Sequence, residues 1–137
     1  MFLRLLSAIL LKFAYASVSD CSNGLSLFRL TSISFSPDPP VKGTNSTLLL
    51  SMDVPVEVTD GTATYSVTYN FIPLTPTVKN LCTELPSGCP IKVGRLDTVS
   101  SFPFDGSLSG SLNMKIEWKD AATPDNQLLC VAIKTKL

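Results

Sequence analysis

Between clusters of proline and glycine, side-chain polarity along this chain alternates with a period of two, and few folds other than a β-sheet accommodate that combination. Ala63, Tyr65, Val67, Tyr69 and Phe71 alternate with Thr62, Thr64, Ser66, Thr68 and Asn70. Leu112, Met114, Ile116 and Trp118 alternate in the same way with Ser111, Asn113, Lys115, Glu117 and Lys119. Ile33 and Phe35, then Leu48, Leu50 and Met52, and finally Leu129, Val131 and Ile133 repeat the pattern less strictly. Alternation of this kind marks half-buried strands with the apolar side inward. All ten prolines lie beyond residue 36, grouped in the stretches 37–43, 55–61, 73–76, 86–94, 103–110 and 121–126. Proline and glycine punctuate strands far more readily than they sit inside helices. The expectation is an all-β antiparallel sandwich of about seven strands, with no amphipathic helix.

Residues 1–16 read as a leader. Arg4 precedes an apolar run, and Ala14-Tyr15-Ala16 has the small-x-small form of a secretory cleavage site. The run is too short to span a bilayer. A signal peptide over 1–16 and a domain over 17–137 are expected. Without Arg4 and Lys12, nine Lys+Arg face 11 Asp+Glu, a charge of −2. In an oxidising compartment the even set Cys21, Cys82, Cys89 and Cys130 predicts two disulfides, for which three connectivities exist. Cys82 and Cys89 flank the turn Pro86-Ser87-Gly88 and are paired on that ground, which leaves Cys21 for Cys130. A zinc site would need CxxC-type pairs, and the sequence has none.

Most chemistry is excluded early. The absence of histidine removes Ser-His-Asp and Cys-His catalysis and histidine zinc sites. No nucleophile elbow, phosphate-binding loop or dinucleotide fingerprint occurs. Balanced charge, 11 Lys+Arg against 11 Asp+Glu, argues against nucleic acid. No catalytic residue, metal or cofactor is therefore expected, and the chain reads as a non-enzyme. The acids near turns, Asp53, Glu57 and Asp60, then Asp120 and Asp125, read as solvated. Asn45-Ser46-Thr47 is a glycosylation sequon, so Asn45 is a candidate acceptor. The inward positions are rich in large flexible or aromatic side chains, among them Phe28, Phe35, Met52 and Met114. They would suit an ordinary core or a ligand pocket, and composition does not choose between these.

Particular motifs are more specific. Asn80-Leu81-Cys82 with Gly88-Cys89-Pro90-Ile91 resembles the disulfide-clipped hairpin of the ML family of lipid-recognition domains. Met114-Lys115-Ile116-Glu117-Trp118 and Asp125-Asn126-Gln127-Leu128-Leu129-Cys130 are similar to that family's E-W strand and final cysteine-bearing strand, notably in its Niemann–Pick-type sterol-carrier branch. Ser36-Pro37-Asp38-Pro39-Pro40-Val41-Lys42-Gly43 resembles the turn of the branch that includes phosphatidylglycerol/phosphatidylinositol transfer proteins, and Asp20-Cys21 matches the family's first cysteine. Together these motifs extend the resemblance over residues 20–137.

The resemblance implies an immunoglobulin-like sandwich whose sheets are splayed around one lipid-sized apolar cavity. It implies the same two disulfides, Cys21–Cys130 and Cys82–Cys89, without the third found in the sterol carriers. Phe71 and Leu74 would line the cavity mouth, joined by Phe102 and Phe104, while Tyr65, Val67, Tyr69, Leu112, Met114 and Ile116 would form deeper wall. Asp105 and Ser109 stand where the sterol carriers have apolar groups, which leaves phospholipid open beside sterol.

The implied function is a secreted or endolysosomal/vacuolar lipid-binding and lipid-transfer protein, a monomer that touches membrane surfaces transiently. Lys79, Lys92 and Arg95 flank the hairpin and would attract anionic headgroups at about 1 kcal/mol each. The other reading is a secreted sandwich that recognises a microbial lipid or a receptor protein, as in innate-immunity signalling.

Overall fold

In a computed structural model describing residues 16–137, the alternating segments are strands. The expected leader lies, apart from Ala16, outside the described residues. The order is β1 (Ser17–Asp20), β2 (Arg29–Ser36), β3 (Asn45–Val54), β4 (Gly61–Tyr69), β5 (Ile72–Pro73), β6 (Thr77–Asn80), α1 (Leu81–Glu84), β7 (Gly94–Pro103), β8 (Ser111–Asp120) and β9 (Gln127–Lys136). One sheet runs β1-β9-β8-β4, with β5 and β6 sharing the other edge of β4. The second runs β2-β3-β7, and every pairing is antiparallel. This is an immunoglobulin-like sandwich.

The two-residue period does its work most strictly in β3. Ser46, Leu48, Leu50, Met52 and Val54 are buried, and the residues between them are exposed or half-buried. Nine strands form where about seven are expected, in part because one edge is interrupted. Thr68 pairs with Pro73 and Tyr65 with Thr77, so β5 and β6 are two pieces of one edge strand broken at residues 74–76. Prolines at 73 and 76 read as a loop, yet an outer edge tolerates a residue without an N–H.

A second correction concerns Phe71, which the alternation counts as an inward strand residue. β4 ends at Tyr69, which pairs with Ile72, and Asn70 and Phe71 make the two-residue turn between them with φ of 48° and 67°. Such tight hairpin turns need positive φ at both central positions. Asn accepts that conformation, whereas Phe does so at a steric cost.

The sandwich is packed unevenly. At one end Phe28 meets Trp118 edge-on, with ring centroids 6.4 Å apart, and Leu81, Leu128 and Leu129 are fully buried around them. Each such side chain contributes roughly 1.5–3 kcal/mol of burial, so this end can hold the two sheets together. Both disulfides lie at or beside it. Cys21–Cys130 ties the end of β1 to β9, and Cys82–Cys89 closes the segment that follows β6. At the other end the sheets leave open space between β4 and β8 on one side and β7 on the other.

Candidate functional site

Register builds the cavity walls. Tyr65 lies opposite Ile116, Val67 opposite Met114 and Tyr69 opposite Leu112, so six of the expected wall residues share one inner sheet face. Across the gap β7 supplies Phe102, and the chain beyond it supplies Phe104. Phe104 is wedged edge-on against Phe35, with centroids 6.2 Å apart, and closes this side.

The space has two compartments. The first, about 330 Å3, is apolar, with Val67, Tyr69, Leu74, Phe102, Phe104 and Leu112 among its walls. The second, about 460 Å3, opens between the unpaired edges of β6 and β7 and is lined by Tyr65, Thr77, Lys79, Glu84, Ser100 and Ile116 among others. Val67, Phe102 and Met114 line both, so the compartments adjoin at these three side chains. Of the ten residues proposed from sequence, nine border this space. Phe71 does not: it projects from the turn beside the opening and is 82% exposed. Leu74 belongs to both regions, being 51% exposed while also lining the apolar compartment. The hydrogen bond from its N–H to the Val67 carbonyl, 2.8 Å, holds it there.

Polar groups are ordered around these walls. The Tyr65 hydroxyl donates to Glu84 Oε1 at 2.9 Å, and Lys79 Nζ lies 3.8 Å from the same oxygen. Burial, and then the hydrogen bond and charge of Glu84, hold the Tyr65 phenol well above its usual range. Glu84 is positioned by α1, whose start Asn80 caps by accepting the Cys82 N–H at 2.9 Å. The Tyr69 hydroxyl and the Asn70 amide both bond Ser109 in the loop before β8. Gly110 is required here: its φ is 102°, and a Cβ would lie 1.9 Å from Asn70 Oδ1. In the same loop, the Ser107 N–H and then its hydroxyl keep the Asp105 carboxyl below its usual range.

The three cations that flank the hairpin in sequence border two different depressions. Lys79 faces the polar compartment and pairs with Glu84. Arg95 is held by Asp97 at 3.1 Å and, with Lys92, borders a different depression. Arg95 and Phe102 are seven steps apart along β7, a distance of roughly 23 Å. Sequence reasoning singled out neither Glu84 nor Thr77 for this site. Glu84 is 19 positions from Tyr65, and nothing local announces their meeting. Among the described residues, Asp60 with Cys82 and Cys89 is a possible metal-ligating group, but those sulfurs are bonded to each other and leave one carboxylate.

The fold and its hollow interior define a cavity-bearing β-sandwich. Residues 16–137 match the ML domain, and the chain belongs to that family. A Dictyostelium discoideum protein with the provisional name phosphatidylglycerol/phosphatidylinositol transfer protein 1 is 32% identical over 82 residues, 60% of this chain and 54% of its own length. The phosphatidylglycerol/phosphatidylinositol transfer protein of Pyricularia oryzae is 33% identical over 79 residues, 55% of this chain and 44% of its own. The chain thus spans about half the length of these curated relatives. Among solved structures, a Niemann-Pick type C2 protein from the Japanese carpenter ant superposes with a TM-score of 0.66 at 18% identity, covering 88% of this chain and 98% of that one. Chicken MD-1, solved with lipid IVa, gives 0.61 at 12% identity, covering 88% of each. These two likenesses concern the fold.

Proposed function

We propose that this protein holds one lipid, a phospholipid or a sterol, between its sheets and carries it between membranes without covalent chemistry. The observation that carries the reading is an apolar compartment continuous, through Leu74, with an exposed apolar tip formed by Phe71 and Ile72. Moving an acyl chain from water into such a space gains roughly 0.8 kcal/mol per buried CH2, so ten methylenes suffice to hold a lipid monomer. The polar second compartment favours phospholipid over sterol, because it offers several donors and acceptors beside the apolar one.

The tip supplies membrane contact. Phe71 and Ile72, 82% and 65% exposed, would enter the outer layer of a bilayer while Leu74 leads into the cavity. Lipid tails would lie nearest the tip and the headgroup toward α1, so the lipid would keep its direction as it left the membrane. Secretion after removal of residues 1–16, or residence in an endolysosomal or vacuolar lumen, together with a monomeric state, completes the proposal. Glycosylation of the exposed Asn45 belongs to it as well.

The test is extraction of the purified protein, identification of bound lipid by mass spectrometry, and transfer of fluorescent phospholipid and sterol between vesicles. Bound lipid and transfer are expected. A protein that emerges empty and takes up neither probe defeats the reading, and co-purification with a receptor ectodomain in place of transfer would favour a recognition role.

A further inference from the structure

We propose that Glu84, paired with Lys79, selects phospholipids whose headgroup carries a hydrogen-bond donor next to its phosphate. This rests on the lipid-cavity reading above. The apolar compartment and the polar one meet at Val67, Phe102 and Met114, so a lipid whose tail fills the first places its headgroup in the second. There it meets a cation and an anion side by side, Lys79 Nζ being 3.8 Å from Glu84 Oε1. A headgroup with an anionic phosphate and, a few bonds away, a hydroxyl or ammonium presents the complementary pair.

The carboxylate is the discriminating half. Its side chain is 25% exposed, and both Tyr65 and Lys79 meet Oε1, so Oε2 is the oxygen available to a ligand donor. Tyr65 fixes its orientation, since the hydroxyl donates at 2.9 Å from the inner face of β4. A carboxylate near a bound phosphate is unfavourable unless the ligand satisfies it, and a site built to bond a ligand N–H or O–H rejects analogues that lack one. Choline headgroups lack one. Glycerol headgroups offer hydroxyls, and ethanolamine offers an ammonium.

The experiment compares transfer of phosphatidylglycerol, phosphatidylethanolamine and phosphatidylcholine with identical labelled chains, using wild type, Glu84→Gln and Glu84→Leu, with labelled diacylglycerol as the headgroup-free probe. Wild type should move the glycerol and ethanolamine lipids about tenfold faster than the choline lipid, the scale of one hydrogen bond to a charged group. Glu84→Leu should bring all three to a common rate, with the choline lipid no slower than in wild type, while still carrying diacylglycerol, which shows its cavity intact. Glu84→Gln, which keeps an acceptor but no charge, should lose the preference for the ammonium and keep part of that for hydroxyls. Equal rates for all three lipids in wild type, or an unchanged ratio in Glu84→Leu, would overturn the assignment. Failure to carry even diacylglycerol would instead overturn the cavity reading itself.

Discussion

The Tyr69 hydroxyl meets both polar backbone atoms of Ser109: it donates to the carbonyl at 2.7 Å and accepts from the N–H at 2.9 Å. One side chain at the end of β4 thereby satisfies the peptide groups of a residue 40 positions away. Asn70 adds a bond to the same carbonyl and accepts the Ser111 N–H, so the loop that brings Leu108 to the cavity is fastened to the hairpin that bears the exposed tip.

Removing that hydroxyl should loosen the loop without emptying the core. Tyr69→Phe is expected to lower stability by about 1 kcal/mol, the net worth of such bonds. Hydrogen exchange at the Ser109 amide should quicken markedly, and unchanged protection there would contradict the fastening role.

Phe71 should show opposite effects on stability and function. Its φ of 67° costs a non-glycine residue roughly 1–2 kcal/mol, and glycine adopts it freely. Phe71→Gly is therefore expected to raise the urea midpoint by an amount worth about 1 kcal/mol. The same variant should slow vesicle-to-vesicle transfer severalfold if, as proposed, this aromatic enters the bilayer. A variant both more stable and equally fast would remove Phe71 from the mechanism.

Val67 borders both compartments, so filling its position should occlude the space on either side of it. Val67→Trp is expected to cut uptake of a fluorescent phospholipid at least tenfold, with a stability change of about 1–3 kcal/mol typical of overpacking. Circular dichroism would confirm that the strands persist.

Alkaline stability should report on Tyr65. Its phenol is held above its usual range in the folded protein, so the folded state keeps a proton that the unfolded chain releases once pH passes the ordinary tyrosine value of about 10. The stabilising contribution is complete below that pH and declines as pH rises beyond it. Urea unfolding at pH 9 and 11 should show a steeper loss for wild type than for Tyr65→Phe.

The disulfides should differ in weight. Cys21–Cys130 spans a separation of 109 residues and Cys82–Cys89 only seven. On chain-entropy grounds, replacing the first pair by serine should cost about 4–5 kcal/mol and replacing the second roughly half of that. Comparing the two double variants by thermal denaturation tests the order.

Which parts of the fold were legible in sequence follows from the range of the interactions involved. Strand alternation is local, and it places Tyr65, Val67 and Tyr69 opposite Ile116, Met114 and Leu112. The same pattern continues to Ala63 and Trp118, which pair in identical register yet lie in solid core, because Phe28 packs against the indole. Whether an inward residue meets another side chain or open space is decided by the opposite sheet, and no periodicity within one strand carries that information. The turn at Asn70-Phe71 was hidden because it has no glycine, and the edge pieces β5 and β6 were hidden by their prolines. Lys79, Lys92 and Arg95 flank one hairpin in sequence, but only Lys79 lines the cavity, while Lys92 and Arg95 border a separate depression.

The uneven packing of the sandwich has a mechanical consequence. With the Phe28–Trp118 contact and its buried leucines gathered at one end and the hollow at the other, the two sheets resemble a pair of jaws whose fulcrum is packed side chains. A small rotation about that fulcrum would displace Phe102 and Leu74 far more than Phe28, leaving the contacts at the pivot in place.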